Sequence, residues 1–136
     1  MPNPKNVYRI YTIYDEIYLQ HFKLVIGSKE LANRYLKRAG YGHEISEGCN
    51  GCTIYSSTGG ILIWIGKFDW TIGEQEILLH ELTHLIFDTL GKVDVKYSTA
   101  NNEAFCYYLG YIFRQVWKKL AKLHHSKKKK RKNAKS

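Results

Sequence analysis

The segment His80-Glu81-Leu82-Thr83-His84 carries the clearest chemistry in this chain. If it is helical, its two histidines lie about 40° apart on the helical wheel and one turn from each other, so both imidazoles can reach one metal ion. Glu81 falls about 100° away from His80 on the same wheel. It is beside the ligands without being forced to bind the metal, the placement needed by a base acting on metal-bound water. Leu78, Leu79, Leu82, Leu85, Ile86 and Leu90 fill the opposite arc, so the core face and the metal face are separate. The pattern predicts a Zn2+ ion held by His80 and His84, with Glu81 as catalytic base.

A zinc hydrolase uses three protein ligands and keeps one position for water. Glu103 is the only Glu after the motif, nineteen residues beyond His84 and early in the last predicted helix. It is the expected third ligand, with Asp88 and Asp94 as alternatives. A carboxylate at that helix start is also favoured by the helix dipole, which is compatible with ligation. The wheel places Cys106, Tyr107, Gly110, Arg114 and Trp117 on the face of Glu103. Gly110 would let another helix approach, and the motif helix is the expected neighbour. Tyr107 or Tyr108 could donate to a developing oxyanion, Tyr107 being the candidate transition-state helper. Arg114 could meet a substrate carboxylate or pair with Asp88. Cys49-Asn50-Gly51-Cys52 has two readings. With His43 or Cys106 it could hold a second zinc; otherwise it is a tight turn at Asn50-Gly51 flanked by two unligated thiols.

These groups need elements to position them. Asn6 to Leu19 alternates as a strand, and Asp15 to Ile26 is ambiguous. Ser28 caps a helix over Lys29 to Ala39, with Gly40 in the position that closes helices. Cys52–Ser56 and Ile61–Gly66 read as a hairpin around Ser57-Thr58-Gly59-Gly60, with Trp64 on a strand whose one face is well covered. Thr71 with Glu74 forms a capping-box pattern that starts the motif helix at Ile72, which should run to Leu90 and end at Gly91. The last helix should run from about Ala100 to Leu123, with Phe105, Leu109, Ile112, Val116, Leu120 and Leu123 on one face. The expected fold is α+β: a small, mainly antiparallel sheet, one packing helix, the HExxH helix and a long C-terminal helix.

With 136 residues, of which 44% are hydrophobic, the chain suits one domain and is not disordered throughout. Its longest apolar run, Ile61 to Ile65, is too short to span a bilayer. Met1-Pro2-Asn3-Pro4-Lys5 lacks the apolar stretch of a signal peptide. Three cysteines do not make a disulfide scaffold. The expectation is a reduced, cytoplasmic protein with no membrane partner. Charge is uneven. Seven of the 21 cations lie in Ser126 to Ser136, and without them the balance is 14 cations to 12 acids. The domain is therefore expected over residues 1–125, followed by a disordered basic tail over 126–136. That tail could bind nucleic acid or another polyanion, or could simply be a solvated end.

His80, Glu81, His84 and Glu103 resemble the ligand and base set of gluzincin-type zinc metallopeptidases. These carry HExxH on one helix and a ligand Glu on a following helix. The resemblance implies two His ligands, a general base and a third ligand, in that order, within a minimal zincin-like fold. More narrowly, Cys52 to Trp117, about half the chain, is similar to small phage-encoded metallopeptidases of unknown substrate. These show a strand like Ile61-Leu62-Ile63-Trp64-Ile65, the HExxH helix, a Gly-containing turn and a Glu-headed helix with aromatics like Tyr107-Tyr108-Leu109-Gly110-Tyr111. The outline is also similar to the metallopeptidase domain of regulators that cleave phage repressors, without their helix-turn-helix or sensor part. By this resemblance Ile61–Ile65 should border the cleft and pair with extended substrate. The implied activity is hydrolysis of peptide bonds in a protein or peptide through a metal-activated water, in the host cytoplasm if the protein is phage-encoded. A different class is a zinc-stabilised nucleic-acid- or protein-binding protein without hydrolase activity. Glu81 argues against it, because a structural site needs ligands but no base. Hydrolysis of a non-peptide amide such as a cell-wall crosslink is a third reading, disfavoured by the missing export signal.

Overall fold

In the computed structural model, residues 8–58 and 60–135 are described, with backbone alone for 123–127. Asn6 and Val7 of the first expected strand, the opening Met1 to Lys5, Gly59 of the expected hairpin turn and Ser136 lie outside the described residues.

The alternating start of the chain forms strand β1 (Arg9–Asp15), which pairs antiparallel with β2 (Gln20–Ile26). Asp15 closes their turn by accepting the N–H groups of Ile17 at 2.9 Å and Tyr18 at 3.3 Å on Oδ1. The segment the sequence left ambiguous is thus a turn and a strand. Helix α1 (Lys29–Arg38) begins at Ser28, whose hydroxyl accepts Leu31 N–H. It closes with Gly40 at φ +76° and the Tyr41 N–H returning to Leu36 O at 3.0 Å, the arrangement expected of a C′ glycine. Strands β3 (Gly51–Tyr55) and β4 (Ile61–Ile65) make the expected hairpin.

The sheet order is β1-β2-β4-β3, with β2 and β4 parallel and the other two pairings antiparallel. The fold is α+β with a small mixed sheet. β4 is paired on both sides, and all five of its residues are buried. One face, Ile61, Ile63 and Ile65, packs with Ile13, Phe22, Leu24 and Ile26 under helices α2 (Ile72–Lys92) and α3 (Asn102–Ala134). The other face, Leu62 and Trp64, packs with Val25, Ile54 and α1 through Ala32 and Leu36. Both faces of β4 are covered, where the sequence suggested one. This also corrects its expected role: a strand hydrogen-bonded on both sides has no free edge for a substrate. Among the described residues, the unpaired sheet edge beside α2 belongs to β3.

The capping box at Thr71 and Glu74 is present as expected. α2 runs past Gly91 to Lys92, and the left-handed residue that ends it is Asp94 at φ +60°. Val95 N–H bonds to Leu90 O at 2.8 Å and Asp94 N–H to Gly91 O at 3.1 Å, which satisfies the last carbonyls with Asp in the place usually taken by Gly. α3 buries Phe105, Tyr108, Ile112, Val116 and Leu120, close to the expected stripe, although Leu109 is only partly buried and Tyr108 takes its place. The helix does not stop near Leu123. It continues through the basic run, predicted to be disordered, as far as Ala134. Lys and Arg are good helix formers, and no Gly or Pro interrupts the sequence after Gly110. Among the described residues, no helix is long and apolar enough to cross a membrane.

Candidate active site

α2 separates its two faces as its leucine pattern requires. Leu78, Leu82, Leu85, Ile86 and Leu90 are buried, while His80 and His84 face solvent. Leu79 departs from this pattern and is partly exposed. The two Nε2 atoms are 3.2 Å apart, with the rings nearly perpendicular. Two nitrogens bound tetrahedrally to one zinc at about 2.0–2.1 Å must lie a little over 3 Å apart, so the pair is spaced to chelate.

Glu81 lies at the border between the two faces and is 7% exposed. Its carboxylate is held from the neighbouring edge strand. Thr53 Oγ1 donates to Glu81 Oε2 at 2.5 Å and lies 3.1 Å from the Glu81 carbonyl oxygen. Gly51 lets this strand come so close. A Cβ there would meet Ile77 Cγ2 at 2.6 Å and Glu81 Cγ at 3.2 Å. Tyr55, further along β3, donates to the His84 carbonyl at 3.5 Å. Burial raises the Tyr55 phenol above its ordinary range, and the Asp88 and Glu81 carboxylates add to the effect. Sequence reasoning missed Gly51, Thr53 and Tyr55. Their signal is the period-two spacing that puts all three on one face of β3.

The remaining candidates are placed differently. Glu103 is exposed in the first turn of α3. Among the described residues, no group of three or more His, Cys, Asp and Glu side chains forms a set that could hold a metal. The structure therefore brings His80 and His84 together and leaves Glu103 apart from them. The α3 backbone is nevertheless seated near this part of α2. Phe87, one turn beyond His84, packs on Phe105 at 4.9 Å between ring centroids, and Tyr97 packs on Phe105 at 5.2 Å. The expected approach of α2 at Gly110 does not occur, since a Cβ at Gly110 would meet nothing within 4 Å. Tyr107 is 76% exposed, in a groove lined by α3 residues including Gly110 and Arg114 and by none of His80, Glu81 or His84. Asp88 pairs with Lys92 at 2.8 Å, in place of the suggested Arg114.

Cys49 is exposed, Cys52 half-buried and Cys106 exposed, all as free thiols. Burial pushes the Cys52 thiol up, and the nearby Glu81 and Cys49 add to this, so it is a poor thiolate. The expected tight turn at Asn50-Gly51 is not formed: Gly51 and Cys52 open strand β3, and the chain turns earlier, at Glu47 and Gly48, with Gly48 at φ +79°.

A second polar cluster went unread in the sequence. Asp15 is fully buried. Its Oδ2 accepts from Tyr108 Oη and, at 3.3 Å, from Gln20 Nε2. Gln20 Nε2 also reaches Thr89 Oγ1 at 2.9 Å and Tyr108 Oη at 3.1 Å. This cluster fastens the β1–β2 turn to both α2 and α3. Tyr108, one of the two tyrosines considered for an oxyanion, is committed to it. No family model, no curated protein and no solved structure matches the chain.

Proposed function

We propose that this protein is a zinc-dependent metallopeptidase. The observation that carries the reading is the 3.2 Å pairing of solvent-facing His80 and His84 directly beside a carboxylate, Glu81, that is buried and tethered by Thr53. A purely structural zinc site is closed by four protein ligands, whereas this pair is open to solvent. The same openness counts against a zinc-stabilised binding protein without hydrolase activity.

His80 and His84 would hold the ion. Glu103 is the third ligand we propose, on the gluzincin resemblance and on the seating of its helix start near the His84 turn. When bound, zinc supplies Lewis-acid polarisation of the scissile carbonyl and acidifies a water. The chain's own part is proton handling. Thr53 occupies Glu81 Oε2, which leaves Oε1 to take a proton from the attacking water. As the C–N bond breaks, the same oxygen returns that proton to the departing amine. The free edge of β3, beside Glu81, offers backbone N–H and C=O groups to an extended peptide. A protein or peptide is thus the substrate class, cleaved in the cytoplasm. The basic run over 126–136 would add contact with a polyanion.

The test is Glu81→Gln, which keeps the shape of the side chain but cannot take the proton. Wild-type protein with zinc should cleave some members of a panel of unfolded proteins, and the variant should bind zinc equally yet cleave none. A variant that cleaves as fast as wild type would overturn the assignment of Glu81.

A further inference from the structure

We propose that the distal half of α3 is a basic helical arm that docks in the major groove of duplex DNA. Among the described side chains, which do not include that of Leu123, the last buried one of this helix is Leu120, yet the helix continues to Ala134, about 21 Å beyond Leu120 at about 1.5 Å per residue. From residue 104 onward the sequence holds eleven Lys and Arg and no Asp or Glu. Lys118, Lys119 and Lys122 are exposed, as is every residue from Lys128 to Lys135. At about 100° per residue, Lys128, Lys129, Lys130 and Arg131 point to four sides of the helix, so the charge surrounds it.

This distribution selects the partner. A membrane-surface helix needs an apolar face to bury. Beyond Leu123 the sequence offers no apolar side chain but Ala134. A helix with its side chains is about 10–12 Å across, and the major groove of B-form DNA is about 12 Å wide, lined on both sides by phosphates. A-form RNA has a major groove too narrow and deep for side chains to read. An all-round cationic helix therefore fits duplex DNA. In isolation the arm carries like charges one turn apart, Lys128 with Lys132 and Arg131 with Lys135, which repel. Phosphates on both walls would neutralise them, so docking should stabilise the arm's helix.

This inference is independent of the metallopeptidase reading, and Glu81→Gln protein should bind DNA as wild type does. The experiment uses full-length protein with a labelled 20-base-pair duplex, followed by fluorescence anisotropy at 50 and 200 mM salt. With six or more phosphate contacts, affinity should fall about 1,000-fold between the two conditions. Replacing Lys128, Lys129, Lys130, Arg131 and Lys132 together by Gln should weaken binding at least about 100-fold at 50 mM salt. Ser126→Pro keeps every charge but breaks the helix between body and arm. It should weaken DNA binding about tenfold or more, and far-UV circular dichroism should show less helix gained on adding DNA. Equal binding by the Gln variant would remove the arm from any DNA contact. Equal binding by the Pro variant would mean that charge acts without the helix. Tighter binding to phosphatidylserine vesicles or to duplex RNA than to DNA would overturn the choice of partner.

Discussion

Thr53→Val removes one hydroxyl and keeps the shape of the side chain. In wild type that hydroxyl bonds Glu81 Oε2 at 2.5 Å and lies 3.1 Å from the Glu81 carbonyl, with Glu81 only 7% exposed. A hydrogen bond to a charged group contributes about 1.5–3 kcal/mol, and the carboxylate left behind is too buried for water to replace the donor fully. We expect the variant to lose about 2 kcal/mol of stability, read by urea unfolding, and its melting temperature to drop by roughly 5–10 °C. The same substitution in a Glu81→Gln background should cost about 1 kcal/mol less, because a bond to a neutral amide is weaker than one to a carboxylate. The double-mutant cycle isolates the coupling between the two residues. If Thr53→Val costs the same in both backgrounds, Thr53 does not act through the Glu81 carboxylate. A loss below about 0.5 kcal/mol would refute the tether altogether.

Wild type should take up one zinc per chain by elemental analysis, His80→Ala and His84→Ala should each lose it, and full occupancy in Glu103→Ala would exclude Glu103 as a ligand. Gly51→Ala should destabilise by about 1–3 kcal/mol in urea titrations, because its Cβ would stand 2.6 Å from Ile77 Cγ2 and 3.2 Å from Glu81 Cγ. Tyr108→Phe strips buried Asp15 of a donor and should cost about 1–3 kcal/mol at neutral pH. Burial first, and then the bond to Asp15, raise the Tyr108 pKa, so the folded state favours the protonated phenol. The stability this contributes is complete below the unfolded value near pH 10 and is lost as pH rises through the folded value. Tyr11, Tyr41 and Tyr55 are also raised by burial, so the difference between wild type and variant above pH 10 is the readout.

What could be read along the chain was local. Ser28 and Gly40 bound α1, Thr71 and Glu74 start α2, and both are short-range hydrogen-bonding devices whose partners lie within five residues. The facing of His80 and His84 follows from helix geometry alone, and so does their separation from Leu78, Leu82 and Leu85. β1, β3 and β4 were legible as strands, whereas β2 was not, and neither was the order of the four. The parallel pairing of β2 with β4 joins residues on either side of α1, and it moved β4 from the expected edge to the centre. The contact of Thr53 with Glu81 spans 28 positions and that of Tyr108 with Asp15 spans 93. A side-chain hydroxyl gives no sign in sequence of which distant acceptor it will meet. That is decided by sheet order and helix packing, which arise from burial summed over both faces of the sheet and not from any local pattern. The basic run shows the same division. Its charge is a property of composition, whereas its continuation of α3 depends on the helix already nucleated and held by Phe105, Tyr108, Ile112 and Val116, onto which each further residue adds without a new nucleation cost.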